Sequence, residues 1–221
     1  MNNKLVIFGL GDIAELAHYC FSNDSAYEVC AFTVDSDFKD KDTFLDLPVV
    51  PFEELSQQYP PDTYDLFIAI GYTGLNEARM VKYHAAKQAG YLLPSYVSSQ
   101  ATVLNQGAIG ENCFIFEDNT IQPFVKLGNN IVLWSGNHIG HHSVIKDHCF
   151  ITSHVVISGG VEIGERCFIG VNATLRDRIK VGERCLIGAG TLLLSDAEPE
   201  GVYMEKETER ARVPSSKLKK I

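Results

Sequence analysis

From Val97 to Leu193 every sixth residue is Val, Ile or Leu, without exception over seventeen positions. An α-helix, with its period near 3.6, would not hold a six-residue register over that distance. The pattern predicts short strands separated by turns, each unit turning one aliphatic side chain inward, as in the hexapeptide repeat of a parallel β-helix with three units per triangular coil. A coarser period of 18 agrees. Gly-Glu-Asn-Cys-Phe-Ile at 110–115 recurs in degenerate form at 128–133 and 146–151, then as Gly-Glu-Arg-Cys-Phe-Ile at 164–169 and Gly-Glu-Arg-Cys-Leu-Ile at 182–187. Stacked at strand spacing, five to six coils make a prism roughly 25–30 Å long.

The first 95 residues have another rhythm. Lys4 to Phe8 reads as a strand, Gly9-Leu10-Gly11 as a tight turn, and Asp12 to Phe21 as a helix with Ile13, Leu16, Ala17 and Cys20 on one face. Tyr27 to Val34 and Leu47 to Val50 read as further strands, Pro51 to Leu55 as a short helix, Tyr64 to Ile70 as a buried strand, and Asn76 to Gln88 as a helix. Alternating strands and helices predict a small parallel, Rossmann-like sheet. The expected organisation is an α/β domain over 1–95, an all-β prism over 96–194, and a charged tail over 195–221 that caps the open coil.

Composition narrows the function. The chain has 221 residues, 19 Lys plus Arg against 28 Asp plus Glu, and a formal net charge of −9, which disfavours a nucleic-acid partner. No apolar run reaches the length of a membrane span and no secretory signal opens the chain, so a cytoplasmic protein is expected. The six cysteines form no CxxC pair, and Cys113, Cys149, Cys167 and Cys185 fall on the 18-residue period. They read as small apolar fillers of the coil interior, with no metal expected.

Two segments carry candidate chemistry. Gly9-Leu10-Gly11-Asp12-Ile13-Ala14 matches GxGxxA between a strand and a helix, with Asp35 at the end of the second strand. Such a turn brings backbone and helix N-terminus close to phosphate, and four or five strands suit a mononucleotide better than a dinucleotide. Five of the seven histidines, His138, His141, His142, His148 and His154, crowd into one coil. Imidazole is poised for proton transfer near neutral pH. His141 lies 18 residues before Gly159, which precedes Gly160. A base beside a glycine pair with an exposed N–H is a constellation suited to acyl transfer.

These segments, with Asn137-His138-Ile139-Gly140-His141-His142-Ser143 and Ser158-Gly159-Gly160-Val161-Glu162-Ile163-Gly164, resemble the sialic-acid and bacillosamine type of sugar O/N-acyltransferases over nearly the whole chain. The resemblance implies a left-handed β-helix, a homotrimer with sites between neighbouring prisms, acetyl-CoA as co-substrate, and a nucleotide-linked amino sugar of the UDP- or dTDP-4-amino-4,6-dideoxy type. It implies His141 as general base and the Gly159 N–H facing the thioester oxygen. Gly159, Gly160, Val171, Gly188 and Ala189 would lie beside the cofactor, and Gly9, Gly11, Asp12, Asp35, Asn137, His138 and His142 beside the substrate. Relatives place an acidic residue directly after the base, where this chain has His142, so Asp118 or Asp147 would serve as orienter, or none.

Besides a nicotinamide oxidoreductase, three other readings remain open at this level. They are a sugar O-acetyltransferase, a zinc lyase of the hexapeptide carbonic-anhydrase kind using His138, His141 or His142, and His154, and a non-catalytic sugar-nucleotide sensor. Outward aromatics at Phe114, Phe116, Phe124 and Trp134 would give a trimer apolar faces to cover.

Overall fold

The computed structural model describes residues 3–206, 210, 212 and 214–217. The N-terminal unit is built from β1 (Lys4–Phe8), α1 (Asp12–Asn23), β2 (Glu28–Val34), β3 (Thr43–Phe44), β4 (Leu47–Pro51), α2 (Leu55–Gln58), β5 (Asp65–Ile68) and α3 (Glu77–Gln88). The sheet order is β3-β4-β2-β1-β5. The β4, β2, β1 and β5 strands are mutually parallel, as the alternating pattern predicts. The β3 strand is antiparallel to β4, so the sheet is mixed. Its two-residue turn, Leu45-Asp46, has both residues at positive φ (50° and 62°), a hairpin geometry that those residue types do not advertise.

The hexads wind into a left-handed parallel β-helix with three faces. The first face stacks Tyr96–Val97, Phe114–Ile115, Val132–Leu133, Phe150–Ile151, Phe168–Ile169, Leu186–Ile187 and Val202–Tyr203. The second runs from Thr102–Val103 through His138–Ile139 to Leu192–Leu193, and the third from Lys126–Leu127 to Lys180–Val181. Register is in steps of 18, with His138 beside Thr120 and Val156. The second residue of each strand points inward: Ile115, Leu133, Ile151, Ile169 and Ile187 are all fully buried, joined by the cysteine ladder Cys113, Cys149, Cys167 and Cys185. Each such aliphatic contributes roughly 1.5–3 kcal/mol of burial. The cysteine thiols also donate to neighbouring coil carbonyls, as Cys149 does to Gly164 at 3.1 Å.

The coil continues past Leu194. Ala197 bridges Val181 and Val202–Tyr203 pairs with Leu186–Ile187. These partners lie 16 residues apart, so the last coil is two residues short and falls out of the six-residue register. Of the charged run at 205–212, residues 207–209 and 211 lie outside the described residues.

The two units share one core. Phe21 of α1 and Phe67 of β5 pack edge-on at 5.0 Å, and Phe67 meets Phe114 of the first face at 5.3 Å. The first face is thereby covered within the chain: Phe114 is 1% and Phe116 6% exposed, and Trp134 stacks on Phe116 at 4.7 Å. Of the aromatics expected to await a partner, only Phe124 is largely exposed, at 65%. Exposed apolar side chains remain on more than one part of the prism, with Val156 and Leu192 on the second face, Val202 at the end of the first and Val171 on the edge between them. Among the described residues no helix is long and apolar enough to cross a membrane.

Candidate active site

Three faces meet at three edges, and the candidate residues lie in the turns there. On the edge between the second and third faces, His141 sits in the turn after His138–Ile139, one coil before Gly159. A β-carbon built on Gly159 would lie 2.7 Å from Cε1 and 2.8 Å from Nε2 of His141, so only glycine leaves the imidazole its place. The Gly160 N–H donates to the His141 carbonyl at 2.8 Å. The Gly159 N–H donates to no described residue, which leaves an outward donor beside a ring nitrogen. The Nδ1 atoms of His141 and His142 are 3.0 Å apart, and both rings are exposed.

A cleft of about 670 Å³ opens between the two units. Its N-terminal wall is Gly11 and Asp12 after β1, with Gly71 and Tyr72 after β5; its other wall includes Trp134 and Phe150 of the first face. The β1 strand lies between β2 and β5, so this crevice is at the point where the order of the sheet reverses, where open α/β sheets bind ligands. The cleft extends to Ser153 and Val171 on the edge between the first and second faces. Along that edge the N–H groups of Ser153, Val171 and Ala189, one coil apart, donate to no described residue. A chain of amides running along the prism would meet them in step.

Gly9 and Gly11 differ in role. The Gly9 N–H is spent on the Thr33 carbonyl at 2.9 Å, and a β-carbon there would lie 2.7 Å from the Ala69 carbonyl oxygen. Gly9 therefore closes the turn onto β5 rather than offering a donor. Gly11 faces open space at the start of α1, where the N–H groups of Asp12 and Ile13 donate to no described residue. The first turn of α1 already holds Asp12 and Glu15, and these carboxylates oppose the phosphate expected at this terminus. Asp35 faces a separate pocket of about 390 Å³ formed with Phe8, Phe38, Ile70, Val81 and Lys82. Lys82 binds the Asp35 carboxylate and lies over the rings of Phe8 (5.1 Å) and Phe52 (4.9 Å).

The structure separates other residues that sequence grouped. Asn137 is 1% exposed; its amide donates to the Asn119 side chain and the Trp134 carbonyl, and its oxygen accepts the Val155 N–H. It belongs to a ladder inside the coil and has no atom left for a substrate. The Gly188 N–H is likewise taken, by the Tyr203 carbonyl at 2.7 Å, so it has no donor to offer a cofactor. One turn of the prism disperses the histidines, with His138 on the second face, His148 on the edge between the third and first faces, hereafter the third edge, and His154 on the edge between the first and second faces. The trio that a zinc site would use does not converge within one chain, and among the described residues no group of three His, Cys, Asp or Glu is set to hold a metal. Asp118 and Asp147 stand on edges other than that of His141; Asp147 binds the backbone and side chain of Asn129.

Sequence reading missed Arg79. It is 1% exposed, and its guanidinium donates to the carbonyls of Gly71, Asn130, His148 and Cys149 and to the Asn76 side chain, at 3.0–3.2 Å. It rivets α3 to the third edge, where Asn112, Asn130 and His148 stack in a polar ladder. Burial lowers its pKa to about 10, which keeps it charged near neutral pH. A lone arginine in an amphipathic helix looks like any surface cation, so no sequence signal marked it.

The model for bacterial transferase hexapeptide repeats matches residues 160–195. No protein of curated function matches the chain. Among solved structures, the acetyltransferase domain of PglB from Neisseria gonorrhoeae with acetyl coenzyme A is similar at a TM-score of 0.80 and 23% identity, over 91% of this chain and 95% of that one. PerB from Caulobacter crescentus, with CoA and GDP-perosamine, has a TM-score of 0.80 at 23% identity, over 90% and 92%. WeeI from Acinetobacter baumannii AYE has 0.76 at 17%, over 90% and 94%. At such identities the likeness establishes the fold.

Proposed function

We propose that the chain is an acyl-CoA-dependent N-acyltransferase, with acetyl-CoA as donor and the amino group of a nucleotide-linked amino sugar as acceptor. One observation carries this reading: the His141 ring lies over Gly159, whose N–H has no partner among the described residues. A base and an oxyanion donor are thus held side by side on adjacent coils of one edge. Likeness to a PglB domain holding acetyl-CoA and to PerB holding CoA and GDP-perosamine supports the choice of both substrates.

In this reading Nε2 of His141 takes a proton as the sugar amine attacks the thioester carbon. The C–N bond forms while the carbonyl electron pair moves to oxygen, which the Gly159 N–H stabilises. Collapse of the tetrahedral centre breaks the C–S bond, and the imidazolium returns the proton to sulfur, releasing CoA as the thiol. The pantetheine arm runs along Val171 and Ala189. The nucleoside enters the Asp35 pocket, and the sugar lies near Gly11 and Asp12.

The interdomain cleft and His141 occupy different edges of one prism. A homotrimer joined through the second face, where Val156 and Leu192 are exposed, brings one chain's cleft to its neighbour's His141. The mass in solution would then be about three times 24.5 kDa.

The test is thiol release from acetyl-CoA with UDP-, dTDP- and GDP-linked 4-amino-4,6-dideoxy sugars, the product mass and base stability distinguishing amide from ester. His141→Ala, still folded, is expected to lose roughly 10²–10⁴-fold in kcat. Turnover near the wild-type rate in that variant would refute the role of His141.

A further inference from the structure

The residue after the base is the one least explained by the transferase reading, on which this inference rests. His142 has φ +60°, in a column of left-handed residues with Phe124 (+66°), Gly160 (+70°) and Arg178 (+61°). That conformation folds its ring back beside His141, with centroids 5.2 Å apart, planes at 88° and the two Nδ1 atoms at 3.0 Å. The preceding coil fixes the pair. Gln122 Oε1 accepts the His141 N–H at 2.9 Å, and the Pro123 carbonyl accepts the His142 N–H at 3.3 Å. Phe124, 65% exposed, lies against the His142 ring at 4.7 Å. Its exposure otherwise has no purpose on a single prism.

Two neutral imidazoles whose Nδ1 atoms are 3.0 Å apart need one proton between them. If His142 donates, His141 carries its own proton on Nε2 and cannot act as a base. If His141 donates, its Nε2 is bare and faces Gly159. The second arrangement also suits the imidazolium formed in the reaction, which still donates from Nδ1 in a charge-assisted bond. An isolated histidine in water favours the opposite, Nε2–H tautomer, so base competence needs an acceptor at Nδ1.

We infer that His142 is a positioning residue: its Nδ1 accepts the Nδ1–H of His141 and holds that ring in the tautomer with a bare Nε2, while Phe124 pins the His142 ring in place. A neutral imidazole here does the work that a carboxylate does elsewhere.

The experiment combines kinetics with ¹⁵N NMR of His141. His142→Phe removes the acceptor but keeps an aromatic ring, and Phe124 demonstrates that phenylalanine fits this left-handed corner. It is expected to shift His141 to the Nε2–H tautomer and to lower kcat roughly 10- to 100-fold with KM little changed, part of the general-base contribution. His142→Glu and His142→Asn restore an acceptor and are expected to return the Nδ1–H tautomer and kcat to within a few-fold of wild type. An unchanged tautomer, an unchanged kcat, or no rescue by either acceptor overturns the proposal. The NMR arm needs no substrate, so a wild-type protein inactive with every sugar would defeat the transferase reading without deciding the tautomer.

Discussion

The imidazole of His141 fills the space that a side chain on Gly159 would need, with Cε1 and Nε2 at 2.7 and 2.8 Å from the missing β-carbon. The ring is exposed and can swing away without disturbing the coil. Gly159→Ala should therefore fold with nearly unchanged thermal stability, yet lose roughly 10²-fold in kcat, because a base displaced by an ångström no longer meets its proton. Steady-state kinetics beside circular dichroism measure both. Wild-type turnover in this variant would remove the close approach from the mechanism.

Arg79 illustrates a different dependence, of the site on the join between units. Its five hydrogen bonds go to carbonyl and amide oxygens, and among the described residues no carboxylate pairs with it. Arg79→Met would leave the buried acceptors of Gly71, Asn76, Asn130 and His148 unmet, the Cys149 carbonyl keeping the Val132 N–H, and should cost about 3 kcal/mol or more in urea unfolding. Arg79→Lys should recover little, since one ammonium cannot reach both α3 and the third edge. A loss below about 1 kcal/mol would mean that the aromatic core alone holds the units together.

The polar ladder beside Arg79 makes stability depend on pH. His148 is 4% exposed, contacts Asn130 Nδ2 at 2.9 Å through Nδ1, and has the rings of Tyr83 and His84 against it. Burial, above all, pulls its pKa down to about 4. An unfolded histidine titrates near 6.5, so between about pH 6.5 and 4 the unfolded chain binds a proton that the folded chain refuses. The contribution is complete above 6.5 and falls as pH falls towards 4, by at most about 3 kcal/mol. His148→Asn, which extends the ladder of Asn112 and Asn130 with a residue that does not titrate, should flatten this limb. Urea midpoints at pH 7.5 and 5.0 for both proteins measure the difference, and parallel declines would contradict it.

Much of the prism was legible because its coil repeats. One aliphatic residue per hexad fixes which side chain faces inward, and the interval of 18 fixes which residues stack, so the pairing of His141 with Gly159 followed by counting. Repetition also has a blind spot. Five histidines close in sequence look like a cluster, but the coil carries them around three edges, and Asn137, four residues before His141, turns inward. The contacts of Arg79 and the covered first face depend on how the N-terminal unit docks, and no local periodicity encodes that. Nor did the GxGxxA pattern reveal that its first glycine serves packing and that its helix terminus already holds two carboxylates.

The location of the cleft and of His141 on separate edges leads to the most discriminating test of assembly. His141→Ala removes the proposed base. Gly11→Trp, at a position lining the cleft where an added β-carbon meets nothing within 4 Å, is expected to fill the cleft and leave the fold intact. Each variant alone should be nearly inactive. In a trimer whose sites each combine one chain's His141 with a neighbour's cleft, random mixing leaves about a quarter of the sites with both parts intact. Co-expressed variants should therefore regain about a quarter of wild-type activity, whereas sites contained within single chains would regain none. Val156→Glu on the second face should dissociate the assembly and abolish turnover even when both site residues are intact, and light scattering beside the assay distinguishes dissociation from misfolding.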